Sequence, residues 1–398
     1  MSSVKLKHSS GNGTIINGPT ANPSADITLK VPSTTGEAGQ VLSVATANHS
    51  ATNAELEWAA AGGGSVSNLI INGAMTVAQR GTSHTGLGGT AGKYHLDRWR
   101  TSHTMTTGRY TATQDSSAPA GFAKSLKIDI TTAEASLNAA SAACILQILE
   151  GQDIQHLQKG TATAKSLTVS FWVKSTTTGT YILEVQDSDN SRILNKSYTI
   201  SSANTWEKKT LTFAGDTTGA FTDDNGASLL FNFYLAAGTD FTSGTLGSSW
   251  AATTNANRAV GQTNLFAADT NDFYLTGVQA EVGDSANDFE HLPYGRDLER
   301  CKRYFQKLDF YKYSGTPSNY YYYNDTIILS PSMRATPTLD DTTDWKLDTG
   351  DGQFQTSGGT QTDGAHIDGG SDHSVTFRHA AGAAWSYAWC RLWLNSEL

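Results

Sequence analysis

Three predicted strands of this sequence carry polar and aromatic side chains that could bind a carbohydrate. In each strand apolar residues occupy every second position and are predicted to face a core, so the residues between them face outward. A sugar ring is bound by an aromatic side chain under its apolar C–H face and by planar amide or carboxylate groups that hydrogen-bond its hydroxyls. The outward residues that supply these groups, with two more from a fourth strand, are Trp172, Glu184, Gln186, Asn232, Tyr234, Gln279 and Glu281.

The aromatic residues also fit a structural role. Exposed aromatic side chains often mark protein interfaces, so coverage of Trp172 by a loop or a neighbouring subunit is the alternative. The run Tyr320–Tyr323 offers a second binding surface. In a strand Tyr320 and Tyr322 share one face, which makes this pair the secondary candidates. The alternative is that one tyrosine pair packs inside and the other lies at an interface.

Two acidic clusters have the composition of metal ligands without the spacing. Asp187–Asn190 begins like a calcium loop, but it lacks the glycine at the sixth position and the glutamate at the twelfth, so a hairpin turn is the better interpretation. Asp363–His373 has two His and three Asp at irregular spacing among glycines, which is typical of a loop. Cys144, Cys301 and Cys390 show no metal-like spacing. We predict no metal site and no cofactor.

Glycoside hydrolysis is the chemical alternative to simple binding. A glycosidase holds two carboxylates about 5–10 Å apart across a cleft, and Glu184, Glu281 and Glu290 are available for such a pair. The sequence contains neither a nucleophile elbow nor a repeat pattern of the kind that builds a β-helix. We therefore predict that the protein is not an enzyme.

The composition indicates a multi-domain, all-β protein. The 398 residues exceed one ordinary domain, only 16% are charged, and Gly, Ser and Thr are abundant, which favours strands joined by many turns. The net charge of −9 disfavours nucleic acid as a partner, because that affinity depends on cationic side chains. The sequence has no signal-peptide core and no apolar run of membrane-spanning length, so we expect synthesis in a cytoplasm and no membrane insertion.

Changes of pattern divide the chain into five segments. The first has short strand patterns but too few apolar residues for a core, which suggests an arm that intertwines with identical arms or docks on another protein; disorder is the alternative. A glycine run then forms a flexible joint. Leu298, Cys301 and Phe305 later recur at helical spacing. The predicted segments are a β arm (1–61), a Gly/Ser linker (62–67), a β-sandwich (68–295), a connector helix (296–307) and a C-terminal β domain (308–398).

The strand Phe273–Gly283 continues through Phe289–Gly295 into the charged segment Arg296–Gln306. These segments resemble the signature that closes the jelly-roll domain of bacteriophage tail-fibre and related virion proteins. The N-terminal stretch, from Val4–Gly11 through Leu29–Pro32, is similar to glycine-rich β modules of marine-phage fibres. Four further segments are similar to other parts of the jelly-roll family, namely Asn68–Gly81, Tyr94–Trp99, Met333–Leu339 and Leu394–Leu398.

The resemblance implies an all-β fold in which a carbohydrate-binding-module-like jelly roll follows a β arm and leads through a short helix into a small C-terminal β domain. It also implies a structural virion protein, a tail fibre or similar appendage, that attaches to the host surface by non-catalytic binding of a polysaccharide or lipopolysaccharide. The expected partners are identical subunits in a homotrimer and tail or neck proteins bound through the arm. A capsid or neck fibre with an assembly or spacer role is the alternative, and a polysaccharide-degrading tailspike is a third possibility.

Overall fold

The structure is a computed structural model with two compact units, Met1–Val66 and Ser67–Leu398. It describes the backbone of residues 3–7, 13–17, 28–30, 40–44, 53–60, 68–90, 92–313, 322–339, 354–356, 359–361, 366–380 and 387–398. Side chains are described for residues 68–90, 92–308, 326–338, 371–374 and 393–398. The predicted linker at 62–67 lies outside these ranges. No helix among the described residues has the length and hydropathy to cross a membrane.

The first unit is built from short strands that pair locally. Two of them form an antiparallel hairpin, and three form a sheet with one parallel and one antiparallel pair. Strands of this length and number rarely enclose a core of their own. They are β1 (Ser3–Lys7), β2 (Gly13–Asn17), β3 (Thr28–Lys30), β4 (Gln40–Val44) and β5 (Asn53–Ala60).

The second unit begins with twelve strands that form two antiparallel sheets sharing one long strand. Short helical turns interrupt the connections, and one of them is the α-helix α1 (Thr239–Thr242). The strands are β6 (Ser83–Thr90), β7 (Lys93–Tyr94), β8 (Arg100–Asp115), β9 (Ser125–Thr132), β10 (Ala142–Glu150), β11 (Leu167–Ser175), β12 (Gly179–Asp187), β13 (Arg192–Ile200), β14 (Glu207–Phe213), β15 (Ala227–Ala237), β16 (Ala251–Ala252) and β17 (Asp272–Val282).

The shared strand β8 divides these strands into sheet I and sheet II. Sheet I has the order β14-β11-β17-β9-β8, with β6 also paired to β8. Sheet II has the order β8-β10-β15-β12-β13-β16, with β7 also paired to β8. The first residues of β8 pair with β10 and its later residues pair with β9, so one strand passes from one sheet into the other.

The two sheets pack face to face around a single apolar core. The Phe171 ring of sheet I lies 5.1 Å from the Phe233 ring and 5.0 Å from the Tyr198 ring of sheet II, measured between centroids. The predicted all-β jelly-roll sandwich is confirmed. The apolar residues at alternate positions of three strands, which the sequence pattern predicts to face a core, are all buried here: Leu167, Val169, Phe171 and Val173 of β11, Tyr181, Leu183 and Val185 of β12, and Leu229, Phe231, Phe233 and Leu235 of β15.

A short helix leads from the sandwich into the small C-terminal β domain. This helix, α2 (Tyr294–Lys302), ends before the predicted limit at Lys307, because Phe305 already pairs with Asn395 in a β-ladder. The Phe305 and Trp393 rings pack 5.9 Å apart and secure that ladder. The domain's strands are β18 (Phe305–Tyr313), β19 (Tyr322–Ile328), β20 (Thr338–Leu339), β21 (Phe354–Thr356), β22 (Gly359–Gln361), β23 (His366–Gly370), β24 (Ser374–Ala380) and β25 (Tyr387–Asn395).

Several segments that are distant in sequence converge on one buried cluster, which we name the signature hub. Asn72 organises it, because its side chain hydrogen-bonds the backbone of Val77 at 2.9 Å and the carbonyl of Asp97 at 3.0 Å. The Asn72 N–H donates to the Asp297 carboxylate of α2 at 3.0 Å, and the Trp99 indole N–H donates to the Asn72 carbonyl at 2.9 Å. The hub comprises Asn68–Gly81, Tyr94–Trp99, α2, residues 303–305 and residues 395–398.

Glu397, near the end of the chain, contributes a carboxylate to the signature hub. The Glu397 carboxylate pairs with Arg98 and lies 3.2 Å from the Arg80 guanidinium. Both guanidinium groups stack on aromatic rings, Arg98 at 3.4 Å from the Tyr304 centroid and Arg80 at 3.7 Å from the Phe305 centroid. Burial opposes the charge of Arg98, but the neighbouring carboxylate raises its pKa above its ordinary value. The three charged side chains therefore form a buried and mutually dependent set.

Candidate functional site

The structure distributes the seven predicted binding residues over opposite faces of the sandwich. Strands β11 and β17 belong to sheet I, whereas β12 and β15 belong to sheet II. Both sheets turn their apolar faces to the same core, so their outward faces point in opposite directions. These residues therefore cannot line one site: Trp172, Gln279 and Glu281 lie on sheet I, and Glu184, Gln186, Asn232 and Tyr234 lie on sheet II.

On sheet I, the segment that follows β17 covers two of the predicted residues. Gln279 accepts a hydrogen bond from the Glu290 N–H at 2.7 Å and donates to the Asp288 carbonyl at 3.1 Å. Glu281 accepts from the Asn287 backbone and side chain at 3.1 and 2.8 Å. Gln279 and Glu281 are buried. Their polar groups hold this segment in place and are not available to a ligand.

Trp172, the third residue on sheet I, is half-buried beside a bulge in β17. Gly277 occupies the bulge with φ of 59°, and a Cβ at that position would lie 3.0 Å from the indole and 2.6 Å from the Phe122 ring. The Phe122 ring packs against the rings of Phe289 at 5.0 Å and His291 at 5.1 Å. Trp172 thus borders an aromatic cluster of the covering segment.

On sheet II, the outward face forms the floor of an open groove with a volume of about 260 Å³. Four strands build the floor, and the loop after β15 completes the lining. Because polar residues alternate with the core residues, the same pattern that fills the core also lines the groove. The lining residues are Arg100, Ser102, His103 and Thr104 of β8, Ala142, Cys144, Leu146 and Ile148 of β10, Leu230, Asn232 and Tyr234 of β15, Gln186 of β12, and Phe241 and Arg258.

A hydrogen-bonded network fixes the polar groups at one end of the groove. Arg258 binds the Glu184 carboxylate through Nε at 2.9 Å and Nη2 at 2.5 Å, and Nη2 also donates to Gln186 Oε1 at 3.1 Å. Asn232 Nδ2 donates to Glu184 Oε1 at 2.9 Å and to Gln186 Oε1 at 3.3 Å. Within the described part of the chain, Asn232 Oδ1 and Gln186 Nε2 have no hydrogen-bond partner. One fixed acceptor and one fixed donor therefore remain for a ligand.

The strand register places Arg100 at the opposite end of the groove. Arg100 pairs with Leu146, Leu146 with Asn232, and Asn232 with Glu184, so the four residues form one row across β8, β10, β15 and β12. Three strand spacings of about 4.8 Å separate the ends of the row by about 14 Å. A ligand that contacts both ends must be extended, as an oligosaccharide is, and it would cross the apolar side chain of Leu146.

Cys144 and Tyr234, two titratable residues of the groove lining, are not prepared for nucleophilic chemistry. Burial raises the pKa of Cys144 to about 12, so its thiol stays protonated at neutral pH. Burial likewise raises the pKa of Tyr234 well above its ordinary value. Tyr234 is only 3% exposed and packs with Phe241 and Ile182, so it supports the floor and offers little free ring surface. Phe241 is the more accessible aromatic side chain.

Sequence reasoning missed most of the groove lining, including its two cations, Arg100 and Arg258, and the aromatic residue Phe241. All three reach the groove through long-range strand pairing and loop packing, which local periodicity does not encode. One feature of the sequence could have identified Arg258, since it is the only Lys or Arg between Lys209 and Arg296. An isolated cation in such a stretch is a reasonable candidate for a fixed ion pair.

The remaining candidate segments lie away from the groove. Asp187 begins the hairpin between β12 and β13, and its buried carboxylate lies 2.5 Å from the Lys159 ammonium, which also contacts Asp216 at 3.2 Å. Tyr320 lies outside the described residues, and only the backbone of Tyr322 is described. The acidic segment at 363–373 was predicted to be a loop, but residues 366–370 form strand β23, which pairs with β24; most of its side chains are not described. In the described part of the chain, no group of three or more His, Cys, Asp and Glu is placed to hold a metal ion.

No protein-family model and no curated protein matches this sequence. Three solved structures are weakly similar to this chain. The enzymatically active domain of tailspike protein 4 from bacteriophage CBA120 has a TM-score of 0.30 at 14% identity, and the match covers 54% of this chain and 21% of that one. TmCBM61 in complex with β-1,4-galactotriose has a TM-score of 0.27 at 10% identity, covering 54% and 98%.

The third structure is the family 11 carbohydrate-binding module from Clostridium thermocellum in complex with a mixed-linked tetrasaccharide. Its TM-score is 0.26 at 11% identity, and the match covers 53% of this chain and 99% of that one. This chain thus spans about a fifth of the tailspike chain and nearly all of each module. Similarity at this level carries no functional conclusion.

Proposed function

We propose that the groove on sheet II binds a glycan. The observation that carries this proposal is the free pair formed by Asn232 Oδ1 and Gln186 Nε2, an acceptor and a donor that Arg258 and Glu184 hold in place. Sugar hydroxyls both donate and accept, so a fixed pair of this kind suits them. The apolar floor and Phe241 supply contact for the C–H faces of sugar rings.

The proposed binding is non-catalytic. Glycoside hydrolysis needs two carboxylates across the scissile bond, and no carboxylate lines the groove among the described residues. Glu184 lies beneath the lining, fully buried, with both oxygens hydrogen-bonded to Arg258. Glu281 and Glu290 belong to the covering segment of sheet I on the other side of the sandwich. These positions favour a binding module over a glycosidase.

We also propose that the chain is a virion appendage that attaches a phage to a host-surface polysaccharide or lipopolysaccharide. The resemblance of the hub segments to the fibre signature supports this role. In this proposal the arm (1–61) docks on tail or neck proteins and joins three subunits, while the sandwich faces the host. A capsid or neck fibre with a spacer role is the alternative, and glycan binding by the groove would favour attachment.

Phe241→Ala is expected to weaken glycan binding by about 1–3 kcal/mol, because it removes the accessible aromatic contact of the groove. Trp172→Ala is the matched control, since it truncates a half-buried aromatic residue on the opposite face. Binding is measured on a glycan array and then by calorimetry, with circular dichroism to verify folding. Loss of binding in the Trp172 variant with unchanged binding in the Phe241 variant would place the site on sheet I and contradict the proposal.

The arm and the sandwich are expected to have separable roles. A truncated chain that begins at Ser65 should be monomeric and should keep glycan binding. The full chain should have the mass of a trimer, because the short strands of the arm need partner strands to complete a core. Light scattering measures both masses, and packaging of the truncated chain into particles tests docking. A monomeric full chain, or normal incorporation of the truncated chain, would contradict this division.

A further inference from the structure

Arg100 is a groove cation whose charge has no anionic partner among the described residues. Its guanidinium lies against Gly92, where a Cβ would come within 2.5 Å of Nε and 2.6 Å of Nη2. Its Cζ lies 5.9 Å from the centroid of the Tyr94 ring. Glycine at position 92 thus leaves the space that the guanidinium occupies. These contacts position the cation without neutralising it.

The remaining groove lining does not compensate this charge. Arg258, the second groove cation, already has a carboxylate partner in Glu184. No Asp or Glu contributes to the described lining. Burial lowers the pKa of His103 to about 4, so this residue is neutral at pH 7. The groove therefore carries one uncompensated positive charge in a chain whose net charge is −9.

The positive charge of Arg100 lies in the same groove as the hydrogen-bonding groups of Asn232 and Gln186. Arg100 and Asn232 belong to the same cross-strand row with Leu146 between them. An extended ligand that hydrogen-bonds Asn232 and Gln186 can cross Leu146 and reach the guanidinium at the far end of the row. Arg100 thus lies where a charged substituent of such a ligand would be.

We propose that the groove selects an acidic saccharide, with Arg100 binding its carboxylate, sulfate or phosphate group. This inference rests on the proposed glycan binding and adds the charge of the ligand. A guanidinium binds these oxyanions through parallel, charge-assisted hydrogen bonds, which are stronger than hydrogen bonds between neutral groups. A neutral glycan would leave Arg100 without a partner, so the acidic ligand gains the additional interaction.

The test measures binding of the full chain to charged oligosaccharides and to their uncharged counterparts. Suitable probes are oligogalacturonate against its methyl ester, a sulfated galactan oligomer against its desulfated form, and a phosphorylated oligomannoside against its dephosphorylated form. The comparison of the three pairs identifies which anionic group is bound. We expect at least one acidic member to bind more tightly than its counterpart. Arg100→Gln should weaken that acidic ligand about 10- to 100-fold and leave neutral ligands unchanged.

Arg109→Gln is the matched control, because Arg109 lies on the same strand, donates to the Gly108 carbonyl at 2.8 Å and does not line the groove. It should bind every probe as the wild type does. Neutral probes that bind as tightly as acidic ones, with no effect of Arg100→Gln, would overturn the charge selection while glycan binding stands. Absence of binding to all probes would overturn glycan binding as well.

Discussion

Replacing Glu397 by Gln is expected to lower the free energy of unfolding by about 3–5 kcal/mol, although Glu397 is the last residue but one. The substitution preserves shape and removes the only carboxylate that pairs with Arg98 and Arg80 in the described part of the chain. Arg98 is fully buried and Arg80 is 3% exposed, so neither can recover its charge stabilisation from water. Breaking one partner of a buried ion pair leaves an uncompensated charge, which costs far more than losing a surface pair.

Urea unfolding followed by tryptophan fluorescence measures this change, since Trp99 lies in the signature hub. Glu299→Gln is the matched control, because Glu299 is exposed on α2 and has no ion pair among the described residues. The control should change the free energy of unfolding by less than about 0.5 kcal/mol. Equal and small effects of the two substitutions would show that the hub does not depend on the chain end.

Acidification from pH 6.5 to pH 4 is expected to destabilise the sandwich by several kcal/mol through three buried histidines. Burial lowers the pKa of His84 and of His103 to about 4, and that of His95 well below its ordinary 6.5. The unfolded chain then binds more protons than the folded chain below pH 6.5, so stability falls as the pH falls. At about 1.4 kcal/mol per pKa unit, His84 and His103 each contribute about 3 kcal/mol of loss by pH 4.

The surroundings of the three histidines strengthen this pH dependence. The His84 and His95 rings lie 5.6 Å apart, so protonation of one opposes protonation of the other. Among the described residues, nearby cations oppose a further positive charge on these histidines: Arg80 and Lys93 at His84 and His95, and Arg100 and Arg109 at His103.

Unfolding free energies measured at pH 7, 6, 5 and 4 test this prediction. His103→Gln should flatten the dependence by about 3 kcal/mol over this range. His156→Gln, a substitution at an exposed histidine, is the matched control. The interval from pH 6.5 to about 5 is the informative one, since most carboxylates titrate below it. A flat profile in this interval for the wild type would contradict the role of the buried histidines.

The signature hub brings together segments that are far apart in the sequence. Asn72 near the start of the sandwich, Asp297 in α2 and Glu397 at the chain end all meet within one buried cluster. Their polar groups are hydrogen-bonded or ion-paired within the hub, and these contacts join the sandwich to α2 and to the last residues of the C-terminal domain. The groove lies elsewhere, and its residues are not part of the hub.

Local alternation identified the main strands and their core faces, because the side-chain period of two in a strand is a property of the backbone itself. The alternate residues Leu167, Val169, Phe171 and Val173, and likewise Leu229, Phe231, Phe233 and Leu235, are buried as their spacing predicts. The helical spacing at Leu298 and Cys301 likewise predicted α2, but the predicted end at Lys307 is too late. The helix ends earlier because Phe305 pairs with Asn395, a residue ninety positions away in sequence. Boundaries that depend on distant partners are not visible in a local pattern.

The sequence by itself thus determined the fold class, the inward faces and the chemistry of the outward residues. Only the tertiary structure decided which outward residues share a surface. Trp172 and Tyr234 both point away from a core, but they do so on different sheets and hence on opposite sides of the sandwich. The row from Arg100 to Glu184 exists only because four strands pair in one register. Strand order and register arise from long-range packing, and no local spacing specifies them.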